Sequence, residues 1–171
     1  AAPVLVGTIT LGAGEAVNSV AVKNGIVALA VQAPAKTDAG RVVFFAANAA
    51  FSTTATPAPI VSVAVGALPD MLTFSPDGRT VWVANEGEPS EDYATDPAGS
   101  VSVIDVSRGV RGLTQDAVRT AGFERFTPAD LPGVRLFGPG ASVAQDLEPE
   151  YITISRDSRQ AWVTLQENNA I

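Results

Sequence analysis

The feature that most limits what this chain can become is a hairpin written three times. Val17-Asn18-Ser19-Val20-Ala21-Val22-Lys23-Asn24-Gly25, Pro69-Asp70-Met71-Leu72-Thr73-Phe74-Ser75-Pro76-Asp77-Gly78 and Pro149-Glu150-Tyr151-Ile152-Thr153-Ile154-Ser155-Arg156-Asp157-Ser158 align with one another. Each holds a polar or acidic residue, a short alternating strand, and then Asn-Gly, Asp-Gly or Asp-Ser. Such pairs adopt a positive φ at low cost and close tight hairpins. A second strand follows each turn, at Ile26 to Gln32, Val81 to Asn85 and Ala161 to Gln166. A third, Arg41 to Ala46, is matched by Ser100 to Asp105, and Ile60 to Val65 supplies a fourth. The first two turns lie roughly 50 residues apart, near the period of a propeller repeat. Helical periodicity is weak, so no long amphipathic helix is expected.

The repeats predict an all-β fold, a β-propeller with about two and a half four-stranded blades of a larger, roughly seven-bladed wheel. Residues 4–11 read as a closing strand, 17–66 as the first blade, 69–122 as the second, 123–147 as an insertion loop and 148–171 as the start of the third. Val42 to Phe45 are apolar on both faces of their strand, as a blade packed on both sides allows. A wheel of about 4–8 blades does not close from so few. The expected partners are therefore the remaining blades, from a C-terminal continuation, another copy or another chain. The longer segment from Ser107 to Gln145, the outer strand of the second blade followed by the insertion, carries Arg108, Arg111, Arg119, Arg125 and Arg135, which read as scattered surface charge, with phosphate binding as the alternative. Trp82 and Trp162 hold matching places and are expected to pack between blades.

Composition removes whole classes of chemistry. With no cysteine and no histidine among 171 residues, disulfides, thiolate sites, cysteine nucleophiles and imidazole bases are all excluded. Any metal must be held by oxygen, which favours calcium or magnesium over zinc and copper. A net charge of −7 argues against nucleic acid as a partner. No apolar run is long enough to span a membrane. The opening Ala1-Ala2-Pro3 resembles the terminus left by a signal peptidase, or else an arbitrary boundary. The first reading implies a periplasmic or extracellular protein.

In an antiparallel hairpin the first strand's start and the second strand's end share a rim. Asn18, Asp70 and Glu150 occupy the starts; Asn85, Glu86 and Glu88, and then Gln166 and Glu167, occupy the ends. Glu148 closely precedes the third start. Gathered carboxylates raise one another's pKa unless a cation neutralises them. Calcium accepts about 6–8 oxygens in flexible geometry. Asp70, Asn85, Glu86, Glu88, Glu148, Glu150 and Glu167 are thus candidate metal ligands. Beyond Pro89, Glu91, Asp92 and Asp96 read as solvated loop acids, and Tyr93 as an ordinary loop tyrosine.

Four segments, Gly66-Ala67-Leu68-Pro69-Asp70-Met71-Leu72, Ala84-Asn85-Glu86-Gly87-Glu88-Pro89, Asp146-Leu147-Glu148-Pro149-Glu150-Tyr151 and Leu165-Gln166-Glu167-Asn168-Asn169-Ala170, resemble the choice-of-anchor I family. These are secreted or surface-attached bacterial propellers, similar to phytase-like esterase propellers and to a mesenchyme-specific cell-surface glycoprotein. The resemblance implies export, a propeller and calcium, with the carboxylates above as ligands. Two functions follow. One is a calcium-dependent phosphoesterase, like an alkaline phosphatase or phytase, acting on a phosphate ester with Glu or Asp as base. The other is a non-catalytic binding or structural propeller at the cell surface, its loops made rigid by metal.

Overall fold

The computed structural model describes residues 2–49 and 55–171; Ala1 and the stretch 50–54 of the first expected blade lie outside them. Nearly all its regular structure is β. Strands β1 (Ala16–Lys23), β2 (Ile26–Gln32), β3 (Ala39–Ala46) and β4 (Val61–Ala67) form one antiparallel sheet in chain order. Strands β5 (Pro69–Phe74), β6 (Thr80–Asn85), β7 (Ser100–Asp105) and β8 (Val118–Gly122) form a second of the same design. Strands β9 (Pro149–Ile154) and β10 (Ala161–Leu165) make a third, two-stranded sheet. A four-residue helix, α1 (Val143–Asp146), sits in the long segment between β8 and β9.

The sheets follow one another like the blades of a propeller. β1 and β2 lie beside β5, and β5 and β6 lie beside β9. Between the first two sheets, Ala28, Ala30, Val42, Phe44, Val63 and Val65 meet Leu72, Val81, Val83, Ile104, Val106 and Val110. Full burial of side chains such as Phe44 and Ile104 contributes about 1.5–3 kcal/mol each. A smaller cluster, with Ala84, Val101 and Ile152 at its centre and Met71, Trp82, Val103 and Val163 around it, joins the second sheet to the third. Trp82 therefore packs between sheets, its indole N–H donating to Thr80 Oγ1 at 2.9 Å.

The apolar run 42–45 is buried on both faces, for a reason only partly foreseen. Val42 and Phe44 face the second sheet. Val43 and Phe45 join Leu29 and Val31 on the other side, where Ile9 and Leu11 pack against them. The expected strand at 4–11 forms no ladder with any described strand. Its segment lies over the first sheet, with Thr10 N–H donating to Thr56 Oγ1, while Val4, Leu5 and Val6 remain exposed. A strand needs an edge to pair with, and this segment contacts a sheet's face. The outer edge of β4 is met elsewhere: the side-chain amide of Gln115 accepts from Ala64 N–H and donates to Ala64 C=O, both at 2.9 Å. Such a cap blunts an edge that would otherwise recruit another strand.

Trp162 departs from expectation. It is 47% exposed and Tyr151 61% exposed, because among the described residues no further layer covers that face of the third sheet.

Candidate functional site

Three β-bulges organise one rim. In the first hairpin, Val17 pairs with Val31 and Ser19 with Ala30, so Asn18 is the extra residue. In the second, Pro69 pairs with Asn85 and Met71 with Ala84, leaving Asp70 extra. In the third, Tyr151 pairs with Thr164 and Pro149 with Leu165, leaving Glu150 extra. A bulge inserts one unpaired residue and re-aims its side chain. The polar residue that begins each repeat thus stands outside the ladder at equivalent positions. Asn18 Nδ2 donates to Gln32 Oε1 and to Pro69 C=O, both at 3.2 Å, tying the first bulge to the second.

The ends of the second strands are held against the same rim. Leu68 alone links β4 to β5 and takes φ 47°, a conformation costly for a bulky side chain and typical of functional sites. Its carbonyl accepts from Glu86 N–H at 2.9 Å, and that of Ala67 accepts from Gly87 N–H at 3.3 Å. Gly87, at φ 74°, then turns the chain toward Glu88. Glu88 pairs with Lys36, the one cation bridged to these carboxylates among the described residues.

The long segment before β9 is locked onto this rim by buried polar contacts. Asp146 accepts from Phe137 N–H and Gly138 N–H. Asn168, fully buried, donates to the carbonyls of Arg135 and Asp146 at 2.9 and 2.7 Å and accepts from Glu148 N–H at 3.3 Å. Gly99 lies beneath: a Cβ there would come 2.0 Å from Leu147 C=O and 3.0 Å from Glu86 C=O. Only a glycine admits that approach. Asp146 and Asn168 are therefore the fasteners that hold the segment carrying Glu148 in place at the rim. Both stand in the segments that carry the family resemblance, but this fastening role was not legible in sequence, since it depends on contacts 20 to 33 residues apart.

The electrostatics follow from this packing. Burial pushes Glu86 up to about 8, with Glu88, Asp70, Glu150 and Glu148 adding to the shift in that order. Burial likewise raises Glu148 to about 7, helped by Glu88, Glu167, Asp146 and Asp96. Glu150 is raised by burial and then by Asp70, Glu167 and Glu88; Asp70 is raised by burial and then by Glu88. Six of the seven sequence candidates, Asp70, Glu86, Glu88, Glu148, Glu150 and Glu167, thus form one interacting group. The seventh, Asn85, is fully buried: its Nδ2 donates to Ser100 Oγ and Ser102 Oγ, and its Oδ1 has no partner.

The acids beyond Pro89 divide in two. Asp92 belongs to a six-residue turn in which Ser90 Oγ donates to its carboxylate, Ala94 N–H donates to the same oxygen, and Thr95 N–H donates to Ser90 Oγ. The same pattern recurs at Ser75-Asp77-Thr80 and Ser155-Asp157-Gln160. In all three the hydroxyl and amide donors lower the aspartate's pKa. Asp92 is thus a turn former, and Tyr93 takes that turn's positive φ of 56°. Asp96 corrects the reading of a solvated loop acid: burial and then Asp146 raise it, and its Oδ1 is buried without a partner.

The donor set is hard oxygen throughout, the kind that calcium and magnesium accept. Among the described residues, no three carboxylates stand close enough together to hold an ion. Unneutralised like charges repel.

The model of one protein family, the choice-of-anchor I domain, matches residues 1–171. No curated protein and no solved structure is significantly similar to the chain.

Proposed function

The chain belongs to the choice-of-anchor I family, and from that premise we propose an exported, cell-surface propeller-like domain whose acidic rim takes up calcium. The observation that carries this reading is that carboxylates from four chain segments lie along one rim and act on one another through space: Asp70, Glu86 with Glu88, Glu148 with Glu150, and Glu167. Each influences at least one of the others. A calcium ion bound there would supply positive charge to neutralise the cluster. Asp70, Asn85, Glu86, Glu88, Glu148, Glu150 and Glu167 are the residues that would supply its oxygens, and the carboxylates would have to draw closer together than they stand here to close on it. Long glutamate side chains on a bulged rim supply the adjustable reach that a flexible coordination shell accepts. Exposed Tyr151 and Trp162 on the third sheet offer a face for further blades of a larger wheel, in the same chain, another copy or another protein.

The test is thermal unfolding of the chain in chelator and in excess calcium. Calcium should raise the midpoint of the parent protein, and Glu86→Gln with Glu148→Gln should remove most of that rise. An equal midpoint with and without calcium in the parent sinks the reading.

A second reading, hydrolysis of a phosphate ester, draws support from the values of Glu86 and Glu148. Carboxyls titrating at about 8 and about 7 suit proton transfer near neutral pH. Glu148 would take a proton from the attacking water and Glu86 would give one to the leaving oxygen. Turnover of p-nitrophenyl phosphate that disappears with chelator and with Glu148→Gln supports it. Calcium-dependent stability without turnover leaves the domain a binding module.

A further inference from the structure

The opposite rim, where the hairpin turns lie, carries the reverse charge. A cleft of about 670 Å³ opens there between the first two sheets. Lys23 enters it from the end of β1, Arg79 from the turn between β5 and β6, and Arg108 and Arg111 from the loop after β7. Three separate segments thus bring four cations to one cavity in a protein with only eleven. None of the four forms an ion pair among the described residues.

The acids nearby do not neutralise this group. Among the described residues Asp77 is the one carboxylate lining the cleft. Its Oδ1 already accepts from Ser75 Oγ and Arg79 N–H, at 2.6 and 3.0 Å. Asp105 lies behind Arg108 and accepts from Ser107 N–H at 2.9 Å. Asp116 lines the adjoining hollow with Arg108 and Arg111, and against these three acids the four cations leave one positive charge in excess. Phe74 and Ile60 supply an apolar wall, and a low-dielectric wall concentrates the field of nearby charges. The side chain of Asn24 reaches across to the second turn, where a Cβ on Gly78 would meet its Nδ2 at 2.6 Å. The first two turns thus approach each other closely beside the cleft.

We infer that this cleft is a second binding site, for a multiply charged oxyanion of the phosphate or sulfate type. Guanidinium groups match tetrahedral oxyanions by paired hydrogen bonds, and lysine adds a point charge. Four cations from three segments suit an anion with more than one phosphate or sulfate group, so a diphosphate or a larger ester is the better match. Nothing in this site depends on a cation at the acidic rim.

Titration calorimetry of the 171-residue chain in chelator, with pyrophosphate and with inorganic sulfate as separate probes, tests the inference. Pyrophosphate should bind, and its affinity should fall about tenfold or more in Arg79→Ala/Arg108→Ala. It should weaken with added salt and stay unchanged in Glu86→Gln. Sulfate binding as tight as pyrophosphate assigns the site to sulfate-type anions; weaker sulfate binding assigns it to diphosphates. Failure of both probes to bind, or equal binding by the folded double variant, overturns the site. Since chelator is present throughout, failure here is separable from failure of calcium uptake.

Discussion

At the bulge end of the strands Glu86 and Glu148 are held far above the ordinary carboxylate value, whereas at the turn end Asp77 and Asp157 are held below it. The two rims differ in what surrounds each oxygen. Asp77 and Asp157 stand in solvent and accept from a serine hydroxyl and a backbone N–H two residues on. Glu148 is buried and Glu86 half-buried, and each lies within reach of several other acids. Donors favour the charged form, while burial and like charge oppose it. Asp92 shows that location is not the cause, for it lies in the acidic loop yet behaves as a turn aspartate. An acid's job here is read from its hydrogen bonds.

The harshest way to break this contrast is Gly99→Ala. Its Cβ would overlap Leu147 C=O, forcing the segment before β9 off the rim at a cost of about 3 kcal/mol. Urea denaturation should show the loss, and calcium should no longer stabilise the variant. Unaltered stability would mean the segment moves freely, and the placing of Glu148 at the rim would lose its basis.

A smaller effect is expected from pH alone. A carboxyl raised in the fold contributes its stability while protonated. That contribution is complete below the ordinary value of 4.5 and is lost as pH climbs to about 8 for Glu86 and about 7 for Glu148. In chelator, the unfolding midpoint should therefore fall between pH 5 and pH 8, and calcium should reverse the fall at the upper end. A midpoint that rises over this interval would contradict the acidic rim's electrostatics.

Glu86→Gln sharpens the same point. It removes a charge that the fold disfavours, so in chelator at pH 8 the variant should be more stable than the parent. Screening at the open rim holds the gain to about 1 kcal/mol, measurable by chemical denaturation. A net loss would mean that Glu86 is stabilised by contacts absent from this structure.

The smallest effects belong to the turn aspartates. Asp77→Asn and Asp92→Asn each remove a charged acceptor from a solvent-exposed turn. Because those values are lowered, the stabilisation is present above the ordinary value of 3.8 and disappears as pH falls through the lowered one. Each variant should unfold slightly earlier than the parent at neutral pH and should merge with it in acid, with an unchanged response to calcium. A calcium response lost in Asp92→Asn would move that residue from turn former to ligand.

Much of this was legible in the residues. Three hairpins with Asn-Gly, Asp-Gly and Asp-Ser turns were found where expected, since local turn chemistry and period-two alternation act over a few residues. The shared rim was legible too, because antiparallel pairing requires it. The bulges at Asn18, Asp70 and Glu150 were not, although those residues had been singled out, because a bulge is a property of two strands in register. The closing strand expected at 4–11 joins no ladder among the described strands; its expected partner is the last blade of the wheel, which these residues do not include.

By itself the amino-acid sequence determined the class of fold, the repeat, the oxygen-only chemistry and the acidic balance, all of which follow from residue types and short-range patterns. Only the tertiary structure decided which acids repel and which cap turns, that Asn168 and Gly99 hold the segment carrying Glu148 at the rim, and that Lys23, Arg79, Arg108 and Arg111 share a cleft. Those facts depend on segments tens of residues apart arriving side by side, and burial and Coulomb interaction are set by distance in space, which the order of residues does not contain.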